Sequence, residues 1–256
     1  LAEGSAKEDA RYATILATSG QLGMTANARN LEHVVRRLAG SKLAELRKLA
    51  QLLFEASTAV APSLLLFTEP SPFDTETAAA LRAVSLELCG PRRSPETVRS
   101  PAAVRLVDFP ADCDVRLAAV LLATSTGRSL EECRLAAAGL PVEQLRRLIG
   151  EAMRRMEFFD APLRELEHLA FTFELVVSAA CFAQLKRHRM ATLSTCDYDP
   201  ALGLTVPPSI EEAGLGSRLE RVASKAAELF ASIERSHPEA APYALPNAHR
   251  RRVLAT

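Results

Sequence analysis

The sequence has no tryptophan, only 5% aromatic residues and no CxxC pair. No apolar run approaches the roughly 20 residues that span a bilayer, so no membrane association is expected. Lysine plus arginine and aspartate plus glutamate stand at 31 each, which leaves no global field to draw the chain toward nucleic acid or an anionic surface. Neither common glycine-rich phosphate loop occurs, which removes Rossmann and P-loop readings. No His, Cys, Asp or Glu set has metal-ligand spacing, so no metal is expected. The five cysteines are scattered and odd in number, the usage of free thiols in a reducing cytoplasm. Leu1-Ala2-Glu3-Gly4-Ser5 carries no signal-peptide pattern. A first residue other than methionine fits a piece of a longer polypeptide.

What is present suffices for a core: 256 residues, 48% of them hydrophobic. Residues 10–26 hold short apolar stretches broken by Ser19-Gly20 and Gly23, which read as strand, turn and strand. Asn27-Ala28-Arg29-Asn30 then opens a helix, with Asn30 as the candidate cap and Leu31, Val34, Val35 and Leu38 on one face. A second helical run carries Leu43, Leu46, Leu49, Ala50 and Leu53, and a third covers Thr77–Leu88. Cys89–Pro101 is proline-rich and reads as a linker. Arg105–Phe109 follows as a strand, Ser129-x-x-Glu132 as a capping box, and Pro141 as the first turn of a further helix. A proline loop near 206–208, a helix over Ser217–Ile233 and a final strand at Val253–Thr256 complete the pass.

The stretch Glu167–Pro200 carries the most chemistry. Phe171, Phe173 and Leu175 alternate with Thr172 and Glu174, the period of a half-buried strand that would include His168. Ser178–Lys186 is helical in pattern and delivers Arg187-His188-Arg189 to one point. Guanidinium forks suit phosphate or a polarised ring carbonyl, yet a helix end favours cations with no ligand at all. His249–Arg252 reads as an exposed loop of charge, Arg36 and Arg37 as a solvated face, and Cys196 as a partly buried, inert thiol.

One internal similarity stands out. Ala10–Thr25 set against Ala241–Thr256 without a gap gives five identities in sixteen positions, including Tyr12 with Tyr243 and Ala17 with Ala248. Glu167-His168-x-x-Phe171-Thr172-Phe173, Gln184-x-x-Arg187-His188-Arg189 and Asn27-Ala28-Arg29-Asn30-Leu31 together resemble the flavin-dependent thymidylate synthases, the thymidylate synthase complementing proteins. In that family the Asn-Ala-Arg segment follows the other motifs; here it precedes them. The resemblance therefore implies a tandem: residues 1–88 as the back half of one copy, 89–101 as linker, and 102–256 as the front two-thirds of another.

The resemblance implies an α+β fold, a mixed, largely antiparallel sheet flanked by helices. It implies methylation of dUMP to dTMP with methylenetetrahydrofolate, FAD and NADPH, in a cytoplasmic homo-oligomer with shared flavin sites. Carried over, His168, Arg187, His188 and Arg189 contact FAD from one copy, and Asn27, Arg29 and Asn30 from another. Gln184, Thr192 and Asp197 face the nucleotide, and Arg37 polarises the uracil ring.

The pattern breaks after the basic triplet. Thr195 stands for a glutamate, Asp197 for a serine, and Asp199 for an arginine that helps hold the substrate phosphate. Exchanging that cation for an anion turns an attraction of about 4 kcal/mol, at ~4 Å and an effective dielectric of ~20, into repulsion. The alternative function is therefore a catalytically silent flavin-binding or scaffold homologue.

Overall fold

The computed structural model describes residues 2–90 and 103–256. Packing divides it into two units, residues 1–100 with 200–249 and residues 101–199 with 250–256. Packing thus groups 200–249 with the N-terminal unit, whereas the sequence repeat groups them with 102–199. Of the expected linker, Cys89 ends a helix and Gly90 follows at φ 72°; the rest lies outside the described residues.

The first unit is helical: α1 (Ala2–Ala13), α2 (Ala28–Ala39), α3 (Ala44–Thr58), α4 (Pro72–Thr75), α5 (Thr77–Cys89), α10 (Pro208–Glu212) and α11 (Gly216–Glu234). The strand–turn–strand reading of residues 10–26 is corrected. The alanine-rich segment up to Ala13 is helix, which those residue types favour, and 18–27 form no strand. Asn27, not Asn30, caps α2: its side chain accepts the Asn30 backbone N–H at 2.9 Å. The proline pair at 207–208 opens α10 rather than extending a loop, because proline suits a helix's first turn. Val35 of α2 and Ala50 of α3 are buried, as are Leu219, Ala223 and Phe230 of α11. Leu245, Pro246 and Ala248 are buried in the same unit.

The second unit carries the sheet. β1 (Val104–Asp108), β2 (Thr172–Ser178), β3 (Leu193–Thr195) and β4 (Arg250–Ala255) lie in the order β1-β2-β4-β3. Every described pairing is antiparallel, so the fold is α+β with an antiparallel sheet, as the resemblance implies. Helices α6 (Cys113–Thr126), α7 (Leu130–Ala138) and α8 (Val142–Met153) pack around Ala118, Ala119, Cys133, Ala137 and Leu145. α6 stops at Gly127, whose φ of 73° suits glycine. The Ser129–Glu132 capping box then starts α7. Pro141 is the cap of α8 rather than its first residue.

Two expectations about this unit change. The arginine run is not a loop: β4 begins at Arg250, three residues earlier than expected, and pairs with β2 along its whole length. The buried side of β2 is also the other one. Val176 and Ser178 are 2% and 1% exposed, on the face that Glu174 shares, while Phe171 lies outside the strand and is exposed. Ser178 tolerates burial because its hydroxyl accepts the Cys181 N–H and caps helix α9 (Ala179–Leu185). Glu174 tolerates that face because two guanidiniums flank it, as described below.

Candidate functional site

The seven-residue α9 ends at Leu185, and a turn follows in which the Arg187 N–H donates to the Gln184 carbonyl and the His188 N–H to the Leu185 carbonyl, both at 3.0 Å. Arg187, His188 and Arg189 are exposed in succession. Among the described residues, none of their side chains has an ion-pair or hydrogen-bond partner. The helix end stabilises these cations without consuming their donors, so the turn presents a forked array open to an anion. Gln184 is exposed at the same helix end.

Thr192 is exposed; its N–H donates to the Thr256 carbonyl at 2.8 Å, and the Thr256 N–H returns the bond at 3.0 Å. Asp197, also exposed, follows β3, and neither it nor Asp199 is free of partners. Cys196, expected to be partly buried, is exposed, and all five cysteines are free. His168 is not on a strand. It ends a 3-10 turn, Arg164–His168, and is exposed. In that turn Glu165 is held below the usual carboxylate range by hydrogen bonds from its own N–H and from the Thr124 hydroxyl, with His168 adding a smaller pull. Among the described residues no hydrogen bond or ion pair joins His168 to the Arg187–Arg189 turn.

Asn27, Arg29, Asn30 and Arg37 all belong to the first unit. They lie at or on α2, and all are exposed. Asn27 spends its carbonyl on the cap and keeps its amide donors. Arg29 and Arg37 have no side-chain partner among the described residues. Arg36 does not belong to a solvated face: its guanidinium donates to Asp74 at 2.7–2.8 Å and to the Ser71 hydroxyl at 3.0 Å. Asp74 also accepts the Ser71 N–H, the largest cause of a pKa lowered to about 2, with Arg36 next.

Sequence reasoning missed Arg251. Its guanidinium lies between two rings, 4.7 Å from the Phe182 centroid and 4.4 Å from that of Tyr198, and donates to the Cys196 carbonyl at 2.9 Å. The Tyr198 ring and the Cys196 carbonyl tie the segment after β3 to β4, and the Phe182 ring ties α9 to it. On the opposite face of the sheet, Glu174 takes Arg252 at 2.8 Å and Arg105 at 3.2 Å. Burial pushes that carboxyl up, but the two arginines outweigh it and hold it below the usual range. The alternation of Arg250 and Arg252 against Arg251 was the available signal: residues two apart share a strand face. Among the described residues no cluster could hold a metal ion, and no helix is long and apolar enough to cross a membrane.

The family model described as thymidylate synthase complementing protein matches residues 1–63 and 105–256. A UPF0159 protein of Chlamydia pneumoniae is 25% identical over 239 residues, covering 91% of this chain. The chain spans 45% of that relative's length. Two solved structures are similar. One is a UMP/dUMP methylase from Streptomyces cacaoi bound with 5-bromo-dUMP, at 19% identity and a TM-score of 0.44, over 61% of this chain and 72% of that one. The other is a flavin-dependent thymidylate synthase from Helicobacter pylori complexed with FAD and dUMP, at 18% identity and a TM-score of 0.39, over 60% and 77%.

Proposed function

The chain belongs to the thymidylate synthase complementing protein family, and from that premise we propose that it is a flavin-dependent thymidylate synthase, methylating dUMP to dTMP with methylenetetrahydrofolate and NADPH. The observation that carries this reading is the extent of the family match, whose two segments contain every residue assigned a role below. The residues fit FAD on their own chemistry: Arg187 and Arg189 offer unspent, exposed donors suited to phosphate. When bound, FAD supplies the hydride that completes the methyl group.

The chain's own part is to bind and orient. Arg187, His188, Arg189 and His168 hold the flavin from one copy, and Asn27, Arg29 and Asn30 from another, in a homo-oligomer. Gln184, Thr192 and Asp197 face the nucleotide. Arg37 aims its charge at the uracil carbonyl, where negative charge grows during transfer and a placed cation lowers the barrier.

A specific observation favours a second reading, flavin binding without turnover. The segment that departs from the family signature is committed to packing: Tyr198 stacks on Arg251 and the Cys196 carbonyl accepts from it. Two measurements separate the readings. Purified protein that is colourless and takes up no added FAD defeats both. Protein that binds FAD and releases the C5 hydrogen of dUMP, given folate and NADPH, is a synthase. Flavin binding with no release above a no-enzyme control establishes the silent homologue.

A further inference from the structure

The two halves of the internal repeat touch. Residues 12–18 and 243–249 run antiparallel in the first unit and meet in a bridge between Ile15 and Pro246. The gapless alignment that equates Ala10 with Ala241 equates Ile15 with Pro246 as well. Any antiparallel bridge has a local two-fold axis. Nothing requires that axis to pass through the very pair that the sequence repeat equates, and here it does.

The hydrogen bonds repeat the relation one for one. The Leu16 N–H donates to the Leu245 carbonyl, and its counterpart Asn247 donates to Thr14, the counterpart of Leu245; the lengths are 3.1 and 2.9 Å. Ala17 donates to Tyr243 at 3.2 Å, and Ala248 to Tyr12 at 2.9 Å. This second pair departs from a regular ladder by one residue, and it does so identically on both sides. The residues that the repeat equates in it, Tyr12 with Tyr243 and Ala17 with Ala248, are among the repeat's identities. Bonds within each copy match too. Thr14 donates to Arg11 as Leu245 does to Pro242, and Thr18 to Ile15 as His249 does to Pro246. α1 ends at Ala13, and the 3-10 turn Ala241–Ala244 ends at the equivalent residue. Between the copies, one bond lacks a counterpart, Asn247 Nδ2 to the Arg11 carbonyl at 3.2 Å, because Leu16 has no amide to offer. Within them, the Thr14 hydroxyl donates to the Ala10 carbonyl where Leu245 has no hydroxyl.

We propose that residues 11–18 and 242–249 form an isologous interface inside one polypeptide, so that the chain is a fused pseudo-dimer and each copy of this segment has the other as its partner. In an isologous contact, residue i of one side meets j of the other and j meets i, and that reciprocity is what the bonds display. The surface is satisfied within the chain and is therefore not the one through which separate chains associate.

Cysteine pairs in the full chain test this, in a background with Cys89, Cys181 and Cys196 changed to serine. Directly opposed antiparallel residues lie about 4.5–5.5 Å apart at Cα, within disulfide reach. Thr14→Cys with Asn247→Cys, and Leu16→Cys with Leu245→Cys, are expected to close on oxidation within the monomer, each losing two hydrogens by mass, at all protein concentrations. Leu16→Cys with Asn247→Cys, equivalent positions off the axis, stays open. Covalent dimers would place the interface between chains and overturn the proposal, as would closure of only one symmetric pair or of the off-axis pair. Should a variant not fold, amide exchange in the unaltered chain decides. Leu16, Ala17, Asn247 and Ala248 are expected to exchange on the order of tenfold or more slower than Gly20–Gly23, and equal rates overturn the proposal.

Discussion

Arg36 and Arg37 are chain neighbours with opposite duties. Arg36 is half-buried and bound to Asp74 and Ser71, whereas Arg37 is exposed with its donors unspent. Asp74→Asn should lower the urea midpoint at neutral pH, while Arg37→Ala should leave it unchanged and abolish dUMP turnover if the synthase reading holds. The Asp74 carboxyl falls from 3.8 to about 2 on folding, so its contribution is complete above pH 3.8 and disappears as pH falls toward 2. Midpoints of the wild type and Asp74→Asn measured across pH 2–5 should therefore converge at the acid end. His249 acts in the same direction at higher pH. It is 2% exposed, and burial pushes its pKa below the ordinary 6.5. The neutral ring is the one that folds, so its share of stability is present above pH 6.5 and is lost as pH falls below it. His249→Phe should flatten that stretch of the stability curve. The turn at Arg187–Arg189 predicts a separation of effects: if the flavin reading holds, removing both guanidiniums should weaken FAD about a hundredfold or more, at about 1.5–3 kcal/mol per charged hydrogen bond, with no fall in melting temperature.

At the scale of elements, helix starts write themselves locally and strands do not. The Ser129–Glu132 box and the Asn27–Asn30 segment are short-range codes, and both helices begin there. Ser129→Ala should therefore cost about 1 kcal/mol by chemical denaturation. Gly20 and Gly23 look like hairpin turns, yet no hairpin forms, because strand pairing depends on residues far away. β4 makes the same point. A run of three arginines is strand only because Glu174, Phe182 and Tyr198, distant in sequence, receive the guanidiniums. The basic turn after α9 was legible because a helix end delivers consecutive residues to one place. The burial of β2's glutamate side was not, since its acceptability rests on Arg105 and Arg252.

For the whole molecule, the repeat links segments with different fates. Ser19–Met24 are the counterparts of Arg250–Ala255, yet the first set is exposed and unpaired while the second is a central strand. Amide exchange should be fast across the former and slow at Val253 of the latter. Position in a repeat fixes local backbone habit, as the matched turns show, and neighbours decide whether a strand follows. The two units are also interleaved along the chain: it leaves the sheet at residue 199, passes through the helical unit, and returns at 250. β4 lies between β2 and β3, so β2 has only β1 to pair with, and β3 has no ladder at all, until it is present. During synthesis on the ribosome, the sheet must then wait with a gap at its centre until Ala255 has emerged. Residues 241–249, which the helical unit needs, emerge only just before. A nascent chain halted at residue 240 should be bound by chaperones and cut readily by protease, although it lacks only the last sixteen of these 256 residues.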